Sequence, residues 1–331
     1  MSQSVDKMRQ RTDKFDIEMA SPESDFDVAI VGGGPGGLAA ALWCGDLGLR
    51  SVLIERGGDL GGQLLKIHNR VLNYPGIETA NGAELADRMI AQVESLSGIE
   101  HLKAEVSKIS DNSIGVEVEF SDGGRILARK AIIATGVSRR KLGIPGEAEF
   151  AGRGILESGA KTGSQIAGLV VAIIGGGDAA IENAVILGRY AKKVFVVHRR
   201  ERSSARRELI DAASGLENVE YIFGTVAARI VGDDQVRALE LISTNSNETR
   251  RLPIDRLLIR IGVEPNSAPF AGIGRSPDGY IAVDNVGRTN LPGIFAIGDV
   301  ANPTAPTIAG AVGQAATAVK AIYQELASEK Q

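Results

Sequence analysis

The chain has 331 residues, more than one ordinary hydrophobic core serves, so two domains are expected. A net charge of −4 gives no general attraction to nucleic acid or anionic membrane. No apolar run approaches the roughly 20 residues that span a bilayer, and the single cysteine, Cys44, excludes an intrachain disulfide.

Residues 1–25 are polar and of mixed charge, without the apolar segment of a signal peptide. They are read as a flexible extension of a cytoplasmic protein. The first ordered stretch is then Val28–Val31, an apolar run ending in the cluster Gly32-Gly33-Gly34-Pro35-Gly36-Gly37, with helical spacing from Leu38 to Leu47. Strand, tight turn and helix in that order form a dinucleotide cradle. Gly32 permits the turn, Gly34 lets backbone approach a pyrophosphate, and Gly37 lets the helix pack against the strand. A second run, Ser51–Ile54, leads to Glu55, which lies 55 − 32 = 23 residues past the first glycine. That is the place for an acid that grips ribose hydroxyls.

Gly61-Gly62-Gln63 and Asn73-Tyr74-Pro75-Gly76 read as surface turns. Ala83–Leu96 has helical spacing, and strand-like runs follow at 106–109, 116–120 and 125–128. Lys130–Ala134 is a buried-type strand that ends in Thr135-Gly136, a second point where backbone meets a cofactor. Arg139-Arg140-Lys141 and Pro145-Gly146 read as a linker.

The opening pattern then repeats. Val170–Ile174 leads into Gly175-Gly176-Gly177-Asp178-Ala179-Ala180 and a helix from Ala179 to Leu187. Two such units imply either two dinucleotides or one dinucleotide and a duplicated scaffold. The second strand of this unit, Lys193–Val197, ends in His198-Arg199-Arg200 rather than in an acid. Guanidinium groups suit a ribose 2′-phosphate, so this site prefers NADPH to NADH, with Arg206 and Arg207 adding to the basic pocket. A helix and strands follow over 208–242. A buried run, Ile254–Ile261, ends at a second crossing between domains, Gly262–Asn266. The strand around Ile294–Ile297 ends in Gly298-Asp299, and a helical pattern occupies Ile308–Ala327. The three histidines have no metal-ligand spacing, so no metal site is expected.

Taken together and in order, these motifs resemble the low-molecular-weight thioredoxin reductase group of pyridine-nucleotide flavoproteins, over about Phe26–Ala327. The resemblance implies an α/β protein of two Rossmann-like, three-layer ββα dinucleotide-binding domains. An NADPH domain (142–266) is inserted in a discontinuous FAD domain (26–141 and 267–331), usually in a homodimer. FAD would rest on Gly32, Gly34, Pro35, Gly36 and Gly37, with Glu55 at its adenosine ribose and Val106 offering backbone to adenine. Gly62, Gln63 and Asn73 would lie toward the flavin, and Asp299 would hold the ribityl or pyrophosphate part. Arg56, Leu64, Thr135, Gly136, Gly298, Ile308 and Ala309 complete that set. NADPH would take Gly175, Gly177, Asp178, Ala179, Ala180 and Glu182, with His198, Arg199, Arg200 and Arg206 around its 2′-phosphate.

The group's Cys-x-x-Cys pair aligns with Ser158 and Lys161, which cannot cycle between dithiol and disulfide. Ser158, Lys161 and Tyr74 stand as candidates near the flavin by motif position. Thr307–Ala316 is similar to the thioredoxin-reductase-like ferredoxin/flavodoxin–NADP reductases, which also lack the pair. The expected activity is hydride transfer from NADPH to FAD and onward to a ferredoxin- or flavodoxin-type carrier. The alternatives are a small-molecule or dioxygen acceptor, or a cofactor-binding protein without turnover.

Overall fold

A computed structural model describes residues 24–329. The expected N-terminal extension falls outside them apart from its end, and Asp25 is a correction to it. The Asp25 N–H donates to the Leu127 carbonyl at 2.9 Å, and its carboxylate accepts from the Leu127 N–H at 3.1 Å.

The chain opens with β1 (Phe26–Val31), α1 (Pro35–Asp46) and β2 (Ser51–Ile54), then α2 (Gly82–Glu94) and β3 (Ile99–Leu102). A meander follows: β4 (Val106–Asn112), β5 (Gly115–Phe120) and β6 (Arg125–Ile133). The two strands expected at 125–128 and 130–134 are one strand, because β6 serves two partners in turn. Its first half pairs antiparallel with β5, while its second half continues the parallel sheet. The first sheet runs β3-β2-β1-β6-β5-β4. Strand β2 is buried along its whole length and β1 along its last four residues, as a parallel sheet covered on both faces requires.

The chain leaves this unit through β7 (Val137–Arg139) and enters β8 (Ile155–Leu156), the short α3 (Gly159–Thr162), β9 (Val170–Ile174) and α4 (Asp178–Gly188). Next come β10 (Lys193–Val197), α5 (Arg207–Ser214) and β11 (Val219–Ile222). A second meander comprises β12 (Thr225–Gly232), β13 (Val236–Ser243) and β14 (Thr249–Pro253), followed by β15 (Arg256–Ile259). The second sheet is parallel, in the order β11-β10-β9-β15-β8.

The chain returns through β16 (Val263–Pro265), which pairs antiparallel with β7, so both crossings lie side by side. Asn266 knits them to the first sheet. Its Nδ2 donates to the Thr135 carbonyl at 2.8 Å, its carbonyl accepts from the Thr135 hydroxyl at 2.9 Å, and its Oδ1 accepts from the Ser138 hydroxyl at 2.7 Å. Finally β17 (Ile294–Ala296) pairs with the end of β6, and α6 (Ile308–Ser328) lies against α1. Small residues make that contact close: Ala39, Ala40 and Ala41 share one buried core with Ala315 and Ala318. Cys44 is fully buried in the same core. Lys130 on β6, itself buried, reaches Glu325 on α6 at 3.0 Å and fixes the helix end to the sheet.

A Cβ at Gly37 would collide with the carbonyl oxygen of Gly32, which is backbone and cannot swing aside. Gly37→Ala should therefore cost about 2 kcal/mol or more in a urea unfolding curve, as overpacking does in a dense interior. A variant as stable as the parent would show that the helix start has slack.

Candidate functional site: two dinucleotide cradles

A large cavity, about 900 Å³, opens at the carboxyl ends of β1, β2 and β6 and reaches the start of α6. Its walls include Gly32, Gly34, Pro35 and Gly36 from the first glycine turn, and Glu55 and Arg56 from the end of β2. Gly62, Gln63, Leu64, Val106, Thr135, Gly136, Gly298, Asp299 and Ile308 line the rest. Gly32 sits at φ +110°, and a Cβ there would strike the Ala134 carbonyl. Gly34 has nothing within 4 Å of where a Cβ would be, so its backbone faces open space at the start of α1. That is a cradle for an anion: free helix N–H groups and no side chain in the way.

Glu55 is oriented before any ligand arrives. Its carboxylate accepts the Gly33 N–H at 2.8 Å and the Gly57 N–H at 3.1 Å. Gln63 belongs to a 3₁₀ turn, Gly62–Lys66, rather than to a plain loop, and its Nε2 donates to the Val137 carbonyl at 2.6 Å. At the far wall, burial raises the Asp299 carboxyl above the usual carboxylate range, and burial is its sole cause.

The structure does not bring every expected residue onto this cavity. Gly37 lies one turn deeper, under the Gly32 carbonyl. Asn73 is exposed in its loop and Ala309 lies off the wall. Tyr74 packs in a small apolar cluster with Leu64, Val71 and Ile308. Ser158 stands at the start of the short α3 in the second unit, without a side-chain cap bond. Lys161 lines a separate open cavity of about 570 Å³ with Glu157, Asp234 and Arg256, and its Nζ lies 3.5 Å from the Glu157 carboxylate. Sequence reading missed Ser138, Glu264, Pro265, Ser267 and Phe270, which close the large cavity. The Gly262–Asn266 crossing was recognised as a crossing, but only the pairing of β7 with β16 turns it into a wall.

The second cradle stands at the carboxyl ends of β9 and β10. Gly175 has φ +143°, and a Cβ there would collide with the Arg260 carbonyl. Gly177 caps α4 in extended backbone, leaving the helix start open. The His198 ring lies over Gly176, with its Nε2 buried and without a hydrogen-bond partner among the described residues. Burial, then the charges of Arg200 and Arg199, hold its pKa below the ordinary histidine value. Arg199 and Arg200 are exposed, as are Ala179 and Glu182, whereas Ala180 is buried. Arg206 is a correction to the free basic pocket: its Nε pairs with Asp178 at 2.8 Å, and its N–H donates to the same carboxylate at 2.7 Å. Ser203 and Ser204 fix the intervening loop on the Gly176 carbonyl, at 2.8 and 3.3 Å.

The family model "Pyridine nucleotide-disulphide oxidoreductase" matches residues 26–321. The chain belongs to this family. A thioredoxin reductase of Listeria monocytogenes is 38% identical over 299 residues, covering 89% of this chain and 92% of that protein. One from Bacillus subtilis is 33% identical over 306 residues, covering 91% and 95%. Among solved structures, Lactococcus lactis thioredoxin reductase superposes with a TM-score of 0.80 at 32% identity, covering 92% of this chain and 100% of that one. The chain is thus a flavoprotein oxidoreductase of thioredoxin reductase type, with Rossmann-like FAD and NADPH domains in a family that uses those two cofactors. The two cradles fit them, since each offers an open helix start beside a glycine turn. Among the described residues no helix is long and apolar enough to cross a membrane.

Asp299 yields a prediction with a definite sign. A carboxyl whose folded pKa is raised favours folding when protonated, so apoprotein stability falls as pH rises through its unfolded and then its folded pKa. Asp299→Asn apoprotein should melt higher than the parent at pH 7, with the gap closing below the unfolded value of about 4, while its FAD affinity falls. If the variant lost stability at pH 7 and kept FAD affinity, Asp299 would be structural. Glu55→Ala should lower the FAD content of purified protein, and an unchanged flavin-to-protein absorbance ratio would refute its part in the site.

Proposed function

We propose that this chain is an NADPH-dependent FAD reductase that passes electrons to an acceptor other than a disulfide. The observation that carries this reading is the fate of sulfur in the chain. Its one cysteine, Cys44, is 0% exposed, and burial pushes the thiol up to about 12, far from a reactive thiolate. The family resemblance sets its redox pair at Ser158 and Lys161 of this chain.

In this reading residues 26–141 and 267–331 form the FAD domain, and 142–266 the NADPH domain. FAD, when bound, supplies the redox chemistry by accepting hydride from NADPH and releasing two electrons. The chain's residues bind and orient. The Gly32–Gly37 turn and the start of α1 receive the FAD pyrophosphate, Glu55 its ribose hydroxyls, and Asp299 further hydroxyl donors. The start of α4 at Gly177 receives the NADPH pyrophosphate, and Arg199 and Arg200 its 2′-phosphate. Arg206, already paired with Asp178, positions the loop that carries them. Hydride transfer needs approach and alignment rather than an acid or base, so no proton-transfer residue is assigned. The assembly is a homodimer in the cytoplasm, as the family resemblance implies.

Mixing the yellow protein with NADPH in a stopped-flow instrument should bleach the flavin, and a lasting oxidised spectrum would mean a binder without turnover. No NADPH-dependent reduction of thioredoxin should follow, and steady turnover on it would overturn the reading. An acceptor panel separates a ferredoxin- or flavodoxin-type carrier, supported by the likeness over Thr307–Ala316, from quinones and dioxygen. Replacing Arg199 and Arg200 with Ala should raise the NADPH concentration needed for half-maximal flavin reduction about tenfold or more. NADH should change little, and equal losses for both would remove the 2′-phosphate assignment.

A further inference from the structure

Two guanidinium groups meet between the cradles on a shared backbone carbonyl. Arg139 ends β7, the outgoing crossing, and Arg260 follows β15, beside the first glycine of the second cradle. Both aim at one neutral atom. Arg139 Nη1 donates to the Glu157 carbonyl, and Arg260 Nη2 donates to that same oxygen at 2.9 Å. The Glu157 carboxylate is exposed and pairs with Lys161 at 3.5 Å, and its charge offsets only part of the burial that lowers the Arg139 pKa. Among the described residues neither arginine is in an ion pair, although exposed arginines elsewhere in the chain are, such as Arg70 with Glu78. Arg260 is partly buried, and burial together with the neighbouring Arg139 charge lowers its pKa to about 10. Like charges drawn together and partly desolvated are costly unless an anion joins them.

Their place in the fold says which ligand meets them. In the second sheet β9 and β15 are neighbours, and the chain leaves β9 toward β10 on the other side. The crevice outside β9 and β15 is therefore the switch point where α/β sheets bind ligands. Arg260 stands at that crevice. Ser138, the residue before Arg139, is on the wall of the large cavity, as is Glu264, the residue after Arg139's strand partner Val263. The pair thus lies between the cradle for one dinucleotide and the cavity for the other. The pyrophosphate of a nucleotide in the second cradle already has the open start of α4.

We propose that Arg139 and Arg260 form a clamp for an anionic group, a carboxylate, sulfonate or phosphate, on a small-molecule electron acceptor. This rests on the reading that electrons leave to an external acceptor. The clamp binds and orients; it does not enter the electron transfer. A turnover consumes one NADPH and one proton and converts a quinone to its hydroquinone, two electrons in and two out.

The test compares 1,4-naphthoquinone with 1,4-naphthoquinone-2-sulfonate as acceptors for the FAD-loaded protein and its Arg139→Gln/Arg260→Gln variant. Arg250→Gln, on exposed β14, serves as a control for overall charge. The double variant should lose about tenfold or more in kcat/KM for the sulfonate, as loss of a charged bidentate contact implies. Its kcat/KM for the neutral quinone and its FAD content should stay within about twofold of the parent. No loss, an equal loss on both quinones, or a loss confined to the NADPH step would overturn the proposal; the last would assign the pair to the dinucleotide. A titration of the oxidised holoprotein with the sulfonate, followed by flavin absorbance, needs no NADPH. Binding to the parent but not to the double variant supports the clamp, and equal binding to both overturns it, whether or not hydride transfer occurs.

Discussion

Both cradles depend on backbone pressed against backbone at a strand end. In the first, Gly32 leaves no room for a Cβ because the carbonyl of Ala134, just past β6, is in the way. In the second, Gly175 meets the carbonyl of Arg260, just past β15, in the same manner. Each contact joins the first glycine of a turn to the end of the neighbouring parallel strand, so it sets how wide the crevice at the switch point opens. The third small residue of each motif then seats the helix. Gly37 does so against Gly32 itself, while Ala180 takes the place in the second unit, buried and with its Cβ 3.1 Å from the Cβ position of Gly175. The turn geometry is thus enforced by neighbours as well as permitted by glycine.

The next constraint is the pair of crossings. Strands β7 and β16 bind each other rather than either large sheet, and Asn266 ties them to Thr135 and Ser138. The ribbon is tied by side chains to both units, through Asn266 to the first and through Arg139 to the Glu157 carbonyl in the second. It also places the residues after Thr135-Gly136 and those after Gly262 on one wall of the large cavity. The insertion of one domain in another therefore shapes the site as well as joining the units.

How much of this was legible in the residues follows from what each signal measures. The glycine turns, Glu55, Gly298-Asp299 and His198-Arg199-Arg200 are local patterns legible from spacing alone, and the fold sets them at strand ends, the first unit's members on the large cavity and His198-Arg199-Arg200 just past β10. Strand β6 was split in two because apolar alternation reports one face at a time, and β6 changes partner along its length. Strand β3, only half-buried, and the two-residue β8 carried too little pattern to be seen. Lys161 was set near the flavin by alignment with a motif, but the chain places α3 against α4 in the second unit, and the side chain faces another cavity. Arg206 looked like a free cation because its partner Asp178 is 28 residues away in sequence.

The charges without partners divide by sign in a way the chemistry explains. Asp299, half-buried and raised in pKa, faces the cavity where a dinucleotide would bring hydroxyl donors. A carboxylate there is short of donors until a polyol arrives. Arg139 and Arg260 share a carbonyl oxygen at the boundary of both cradles, and among the described residues neither is in an ion pair. The comparison of the two units sharpens the second point. Ala134 and Arg260 hold equivalent places, each lending its carbonyl to the first glycine of its cradle. That backbone task is independent of the side chain, as Ala134 performs it with a methyl group alone. The guanidinium of Arg260 is therefore surplus to the architecture of the turn. That guanidinium ties the end of β15 to the Glu157 carbonyl, and a neutral donor would do that as well; the charge, held partly out of water beside a second like charge, is what an anion would answer.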